Sequence, residues 1–502
     1  MSVSSTLPGA VVLSSRWRDL LLWAIVAAEI LILCIPGTWW GYAAAGLVAI
    51  FVLFGVYLAV LQGRATGVIL VWVLVYPLGY HFFSFPEIQP IVTLDRIFIG
   101  ILIAAACFAN QRRAHYIPKA LRMSALFWTM FLVFAAVTIP RAKTPLNSFR
   151  LLIEAFLFPA LLGWYMLRYV DVRKHLRALH TVTCVMAIYV AAIGASEAVL
   201  QQDLLPLPDG AIFMAGDYQK DSTEILIRPN GPFSTMSSFA MVGLISFFFL
   251  LFLKKALGQD ISVTRGILHR VGVGAALAIS LMPLFRSVIL FSAVVLMIDA
   301  YYSRGFRRTI RVTAIASMAA IFLTVRLILP AIFEERSSPE NVYGRIAQQV
   351  ETLRLFFDHP INGVGLNNYH EAAQTDSKYT TDYDDVESAD YPHNNLGAVL
   401  SETGLAGFLP YCLSQVFLLA FWKIRSQHKA GADLAWKYFL FIFLGYWING
   451  MALTTGYFAD VNLWYLLVLT VVFKFVLTDT TGPEPAVPSR IFPANLSESS
   501  IK

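Results

Sequence analysis

The chain has 502 residues, 57% of them hydrophobic and only 14% charged, and a mean hydropathy of +0.64. A soluble domain carries roughly 25% charge, so this composition excludes a soluble protein and points to the bilayer. The net charge of +6 is no argument for nucleic acid, because Lys and Arg gather at the ends of apolar runs on one side, which is a sign of topology.

In chain order, residues 1–19 contain Arg16 and Arg18 but no small-residue cleavage site. They read as a cytoplasmic N-terminal tail, with no removable signal peptide. An N-terminal membrane block, 20–200, follows, with apolar runs at Leu20–Ile35, Trp39–Leu61, Val68–Phe83, Ile97–Ala109, Ala125–Ile139, Leu151–Leu167 and Leu179–Leu200. A long loop spans 201–238. The next block, 239–333, holds Phe239–Leu253, Val271–Leu284, Val288–Tyr301 and Val312–Phe333. A larger loop spans 334–395, where Ile346, Val350, Leu353 and Phe357 recur at helical spacing behind Arg345. That pattern predicts an amphipathic helix lying at the membrane surface. The last block, 396–477, holds Leu396–Trp422, Tyr438–Leu453 and Val461–Leu477. The tail, 478–502, carries Pro483, Pro485, Pro488 and Pro493 and reads as a disordered cytoplasmic segment.

Runs of this kind, about 17 to 25 residues long, must be helices, because unpaired backbone groups are too costly in lipid. The expected fold is an all-α polytopic membrane protein with about 12 to 14 spanning helices. Cations crowd alternate connections (Arg112, Arg113, Lys119 and Arg122; Arg168, Arg173, Lys174 and Arg177; Lys254, Lys255, Arg265 and Arg270; Arg304, Arg307, Arg308 and Arg311; Lys423, Arg425 and Lys429). The positive-inside rule makes these connections cytoplasmic and both long loops periplasmic. Arg141, Lys143 and Arg150 dissent, falling outside. The four cysteines (Cys34, Cys107, Cys184, Cys412) all lie in apolar runs without CxxC or metal-like spacing, and read as small buried hydrophobes.

Two long loops on one face locate the chemistry, since binding and catalysis concentrate in such loops. No Walker loop, GxSxG, HExxH or dinucleotide fingerprint occurs. In the first outer loops the acids are Glu87 and Asp95, well separated, and Arg96 is a ready partner for Asp95; this argues against a metal-dependent carboxylate pair. The acidic run Asp376–Asp390 lacks the spacing of a calcium loop and reads as flexible and solvated. Arg228, in the Ile227–Phe233 segment, and Arg286, between two nearly touching apolar runs, suit an anion, because guanidinium forks grip phosphate oxygens. A lone interfacial arginine also snorkels to headgroups. His393 stands where the second loop re-enters the membrane, with a pKa suited to proton transfer. Glu29, Glu154 and Glu197 lie within apolar runs, as functional groups or as partners of neighbouring helices.

The stretch His359-Pro360-Ile361-Asn362-Gly363-Val364-Gly365 through Tyr369, then His393-Asn394-Asn395-Leu396, then Glu402-Thr403-Gly404-Leu405-Ala406-Gly407 resembles the O-antigen ligase and polymerase family. The Arg228–Phe233 segment and Arg286-Ser287 resemble two further elements of that family. The resemblance implies a GT-C-like membrane frame and a metal-independent, inverting glycosyltransferase, with no cofactor and no metal. The donor would be an undecaprenyl-pyrophosphate-linked glycan, and the acceptor another glycan. Membrane lipids and a polysaccharide chain-length regulator would be partners; nucleic acid would not. Arg228 and Arg286 would bind the pyrophosphate, and His393 would be general base. Arg345, Asn394, Gly363 and Gly365 would shape the substrate site, while Gly404 and Gly407 would serve helix packing. Ligases of the family commonly carry a second histidine where this chain has Asn395. That departure favours a surface-polysaccharide polymerase over a ligase acting on lipid A-core or protein. A lipid-linked sugar flippase or a scaffold are the readings from other classes.

Overall fold

The computed structural model describes residues 65–82, 93–108, 117–202, 229–233, 235–258, 263–301, 339–379, 381–383, 386–388, 392–425, 431–453 and 455–477, with isolated positions elsewhere. Arg228, Glu29, Cys34, nearly all of the expected helices Leu20–Ile35, Trp39–Leu61 and Val312–Phe333, and both tails lie outside the described residues.

The helices are α1 (Ala65–Phe82), α2 (Leu94–Phe108), α3 (Lys119–Thr138), α4 (Pro145–Leu151), α5 (Phe158–Tyr169), α6 (Val172–Leu200), α7 (Met236–Leu257), α8 (Val263–Leu281) and α9 (Arg286–Tyr301). There follow α10 (Pro339–Asp358), α11 (Tyr369–Thr375), α12 (Asn395–Arg425), α13 (Ala432–Gly450) and α14 (Ala459–Leu477). A π-helical turn, Leu152–Leu157, joins α4 to α5. Six stretches among the described residues are long and apolar enough to cross a membrane: Lys119–Arg141, Pro145–Tyr169, Val172–Leu200, Met236–Leu257, Asn395–Ala420 and Ala459–Leu477. The protein is therefore an all-α, multi-pass membrane protein.

Helices α7 and α14 are apolar all round and buried all round, so they form the centre of the bundle. Trp72, Phe239, Phe248 and Trp464 are fully enclosed there, and the Trp464 indole donates to Ser246 Oγ at 3.0 Å. Helices α3 and α12 pack on each other at the periphery. Their outward residues Leu126, Val133, Val137, Leu409 and Val416 are exposed, as a lipid-facing surface requires. A second core of Phe131, Phe156, Tyr369, Tyr411 and Tyr457 sits between these helices and the large loop.

The expected surface helix is α10, and its two faces are sorted in an unusual way. Ile346, Leu353 and Phe357 are 41%, 48% and 71% exposed, while Ala347, Gln348, Glu351, Thr352 and Leu355 are buried. Its apolar stripe faces away from the protein and its mostly polar face packs inward, which is the arrangement of a helix bedded in the lipid interface.

Two expectations are corrected. The acidic run is not wholly irregular: Thr381–Tyr383 and Val386–Ser388 form a two-stranded antiparallel hairpin. Among the cysteines, Cys184 is buried as expected, but Cys107 is exposed and Cys412 half-buried, because apolar runs at the periphery turn one face to lipid. The dissenting outer cations acquire an explanation. Lys143 pairs with Glu371, and Arg150 pairs with Glu154 at 3.3 Å.

Candidate functional site

The site grows out of a break in α12. Gly404 has φ +60 and ψ −168, so the helix interrupts itself there. The break frees backbone groups that water would satisfy in a loop but lipid cannot. The segment 360–365 takes them: Val364 and Gly365 donate to the carbonyls of Ser401 and Glu402, and Leu405 and Ala406 donate to those of Pro360 and Ile361. Glycine is required at both crossing points. A Cβ at Gly404 would lie 2.3 Å from the Ile361 carbonyl oxygen, and one at Gly363, itself at φ +64, would lie 2.2 Å from the Glu402 carbonyl carbon. Gly404 thus serves the close approach of a loop rather than the packing of two helices, which corrects the expectation for that residue.

Glu402 locks this crossing. Fully buried, it accepts from the Asn367 N–H at 2.9 Å, the Tyr369 N–H at 3.3 Å and the Tyr457 hydroxyl at 2.7 Å. The sequence signal for this residue is an acid inside the apolar run Leu396–Trp422, the same signal that Glu154 and Glu197 carry. Tyr369 carries the lock outward to α10, sharing its hydroxyl with Thr352, the Gln348 carbonyl and Glu351. Burial pushes that hydroxyl above its usual range, so it remains neutral.

His393 stands half-buried on the two residues that lead into α12. Asn394 caps the helix, its Oδ1 accepting from Leu396 and Gly397 at 3.0 and 3.3 Å. Its Nδ2 donates to Gln349 on α10 at 3.1 Å. Arg345, one turn earlier on α10, donates to the Ala452 carbonyl at 3.1 Å. Asn395, buried, accepts from the Gly456 N–H at 2.9 Å. The start of α12, the start of α10 and the 452–457 segment therefore meet at one place.

Arg286 belongs to the same level of the molecule. Helix α9 runs antiparallel to α13, with Phe291 against Gly445 and Asp299 paired with Lys437. Carried back to the first residue of α9, that register sets Arg286 at the level of Gly450 along the bundle, two residues before Ala452. The arginine is exposed at the helix N-terminus, an end that itself favours anions. Of the sequence-derived residues, His393, Asn394, Arg345 and Arg286 share this end of the bundle; Gly363 and Gly365 form the frame beneath it. Arg228 lies outside the described residues. The turn after it is anchored, because Gly231 N–H donates to the buried Glu197 at 2.7 Å.

The remaining acids at this end have partners. Arg96 and Arg150 both bind Glu154 within the π-helical turn. Asp95 accepts from the Trp72 indole at 2.7 Å; Arg96, adjacent to it, spans 58 residues of sequence to reach Glu154. This corrects the expectation that the neighbours Asp95 and Arg96 pair. Asp460 accepts from Ser238 Oγ at 3.0 Å.

The fold and the site together define a multi-pass membrane protein whose chemistry-bearing residues lie on one large loop clamped to a broken helix. Residues 231–412 match the family model described as O-antigen ligase, a similarity that supports a membrane glycosyltransferase of ligase or polymerase type in general. No curated protein matches the chain.

Proposed function

We propose that the protein transfers a glycan from undecaprenyl pyrophosphate to an acceptor glycan at the periplasmic face of the bacterial inner membrane, as a polymerase of surface polysaccharide. His393 accepts the proton of the acceptor hydroxyl, whose oxygen attacks the anomeric carbon from the face opposite the leaving group. The bond from that carbon to the phosphate oxygen breaks, and undecaprenyl pyrophosphate departs with inversion. Arg345 and Arg286, with Arg228, hold the pyrophosphate and stabilise its growing charge. Pyrophosphate is already a good leaving group, so fixed cations and one base supply the chemistry without a metal. The observation that carries this reading is the meeting of Arg345, His393–Asn394 and the Arg286 level on elements tied by Asn394–Gln349 and Arg345–Ala452. The polymerase reading rests on the resemblance: ligases commonly show a second histidine near the first, whereas here Asn395 follows Asn394 and accepts from the Gly456 N–H.

The test is to delete the gene in its host and restore it intact or as His393→Ala, then resolve lipid-linked and surface glycans on gels. Single repeat units stranded on the lipid, with loss of the long-chain ladder, are expected. Long chains stranded on the lipid would make the protein a ligase instead, and an unchanged profile would overturn the transferase reading.

A further inference from the structure

We propose that His180, Cys184 and His269 form a binding site for a single Cu(I) ion between α6 and α8, remote from the transferase site and independent of it. His180 and Cys184 are one turn apart on the same face of α6, and His269 faces them from α8; all three are buried. His180 Nε2 lies 3.1 Å from His269 Nδ1, and Cys184 Sγ lies 3.8 Å from His180 Nε2. The three ligand atoms fall within 4.8 Å of one another. Metal–nitrogen bonds of ~2.0–2.1 Å and metal–sulfur bonds of ~2.3 Å set donors around one ion roughly 3.3–3.8 Å apart, so the two nitrogens, which share a hydrogen bond, part slightly and the wider-set donors draw in as an ion seats.

The surroundings are built for this cluster. Gly272, three residues after His269, lets the thiol lie against the α8 backbone, since a Cβ there would sit 2.8 Å from Cys184 Sγ. Charge selects the ion. A thiolate and two neutral imidazoles carry −1 together, so Cu(I) makes the site neutral, whereas a divalent ion leaves it positive in a low-dielectric place. Lys254 and Arg265, the cations acting on the histidine pair, oppose that extra charge. Thiolate is also a soft ligand that favours Cu(I), and its proton leaves to solvent as the ion enters. The i, i+4 His–Cys pairing is a metal-like spacing that the reading of the cysteines as plain hydrophobes passed over. His180 precedes Glu197 on α6 by 17 residues, about 25 Å along the axis, so the site lies deep toward the opposite end of the bundle from His393.

The experiment uses the full chain in detergent with Cys34, Cys107 and Cys412 replaced by serine, titrated anaerobically with Cu(I) against a chromophoric Cu(I) chelator. One retained equivalent is expected, with affinity at least about tenfold lower in Cys184→Ser and in His269→Gln. Cu(I) should raise the unfolding temperature of the parent but of neither variant. If one variant elutes as aggregate, the other decides, because the two substitutions sit on different helices. No retained Cu(I), equal retention in a folded variant, or Zn(II) held in place of Cu(I) would overturn the assignment.

Discussion

Glu402 accepts three hydrogen bonds at the loop crossing it locks, from the Asn367 and Tyr369 N–H groups and the Tyr457 hydroxyl. Replacing it by alanine takes this acceptor away from all three donors, at about 1–3 kcal/mol for a buried group that finds no replacement. Glu402→Ala should therefore lower the unfolding temperature sharply and abolish glycan assembly, with Glu402→Gln milder because one acceptor remains; equal stability of all three proteins in a thermal melt would refute the lock. On the proposed function His393 and Arg345 behave differently, since their replacement removes chemistry rather than a structural lock. Arg345→Lys should retain the fold yet lose most activity, because an ammonium lacks the fork that grips two phosphate oxygens. Asn394→Ala should cost about 0.5–2 kcal/mol of α12 stability through the lost cap, read as a lowered melting temperature. At this scale the sequence was legible in placing His393 and Asn394 where the large loop leads into α12; their chemical roles and those of the arginines belong to the proposal. The sequence was not legible where the role depends on a distant partner: Asp95 pairs with Trp72, and Arg96 with Glu154, across separations that no local pattern encodes.

Helix α12 was legible as a membrane span from its apolar length, but its break was not. An apolar run containing Gly404 and Pro410 reads as one helix, and only the loop crossing reveals why the glycine must be there. Gly404→Ala combines a left-handed backbone with a Cβ against the Ile361 carbonyl; a loss on the order of 3 kcal/mol is expected, visible as poor expression or a lowered melting temperature. Helix α10 was legible by period, and the expected apolar face exists. Which way that face points comes from the lock beneath it: Glu351 and Thr352 are engaged by Tyr369, so Leu353 and Phe357 turn outward. Leu353→Glu with Phe357→Glu should leave the detergent-solubilised protein folded and reduce activity in membranes, because charge displaces the helix from the interface. At the last residue of α10, the Tyr379 hydroxyl and then Lys378 hold the Asp358 carboxyl below its usual range. The support from that carboxylate is complete above the ordinary carboxylate pKa near 4 and is lost as pH falls through the lower folded value. Limited proteolysis of this loop should be unchanged from about pH 7 to 5 and increase only in stronger acid, a dependence that Asp358→Asn abolishes.

At the scale of the whole molecule, the division of labour follows from the solvent. The apolar bundle around α7 and α14 needs little beyond length and hydrophobicity, and the same two properties made most of the spans readable. The site needs polar backbone at membrane depth, which is stable only where protein supplies every partner. That condition is met by the crossing of 360–365 with the α12 break, and it brings Arg345, His393 and the Arg286 level to one end of the bundle. The central claim is that this end performs a transfer from a lipid pyrophosphate with His393 as base. The most direct measurement presents the purified protein, in liposomes containing a chelator, with the undecaprenyl-pyrophosphate-linked repeat unit, and follows release of undecaprenyl pyrophosphate and glycan length. Intact protein should release the lipid and build longer glycans, while folded His393→Ala should fall at least about a hundredfold in rate. Undiminished transfer by His393→Ala, or transfer that appears only when a divalent metal is restored, would contradict the account.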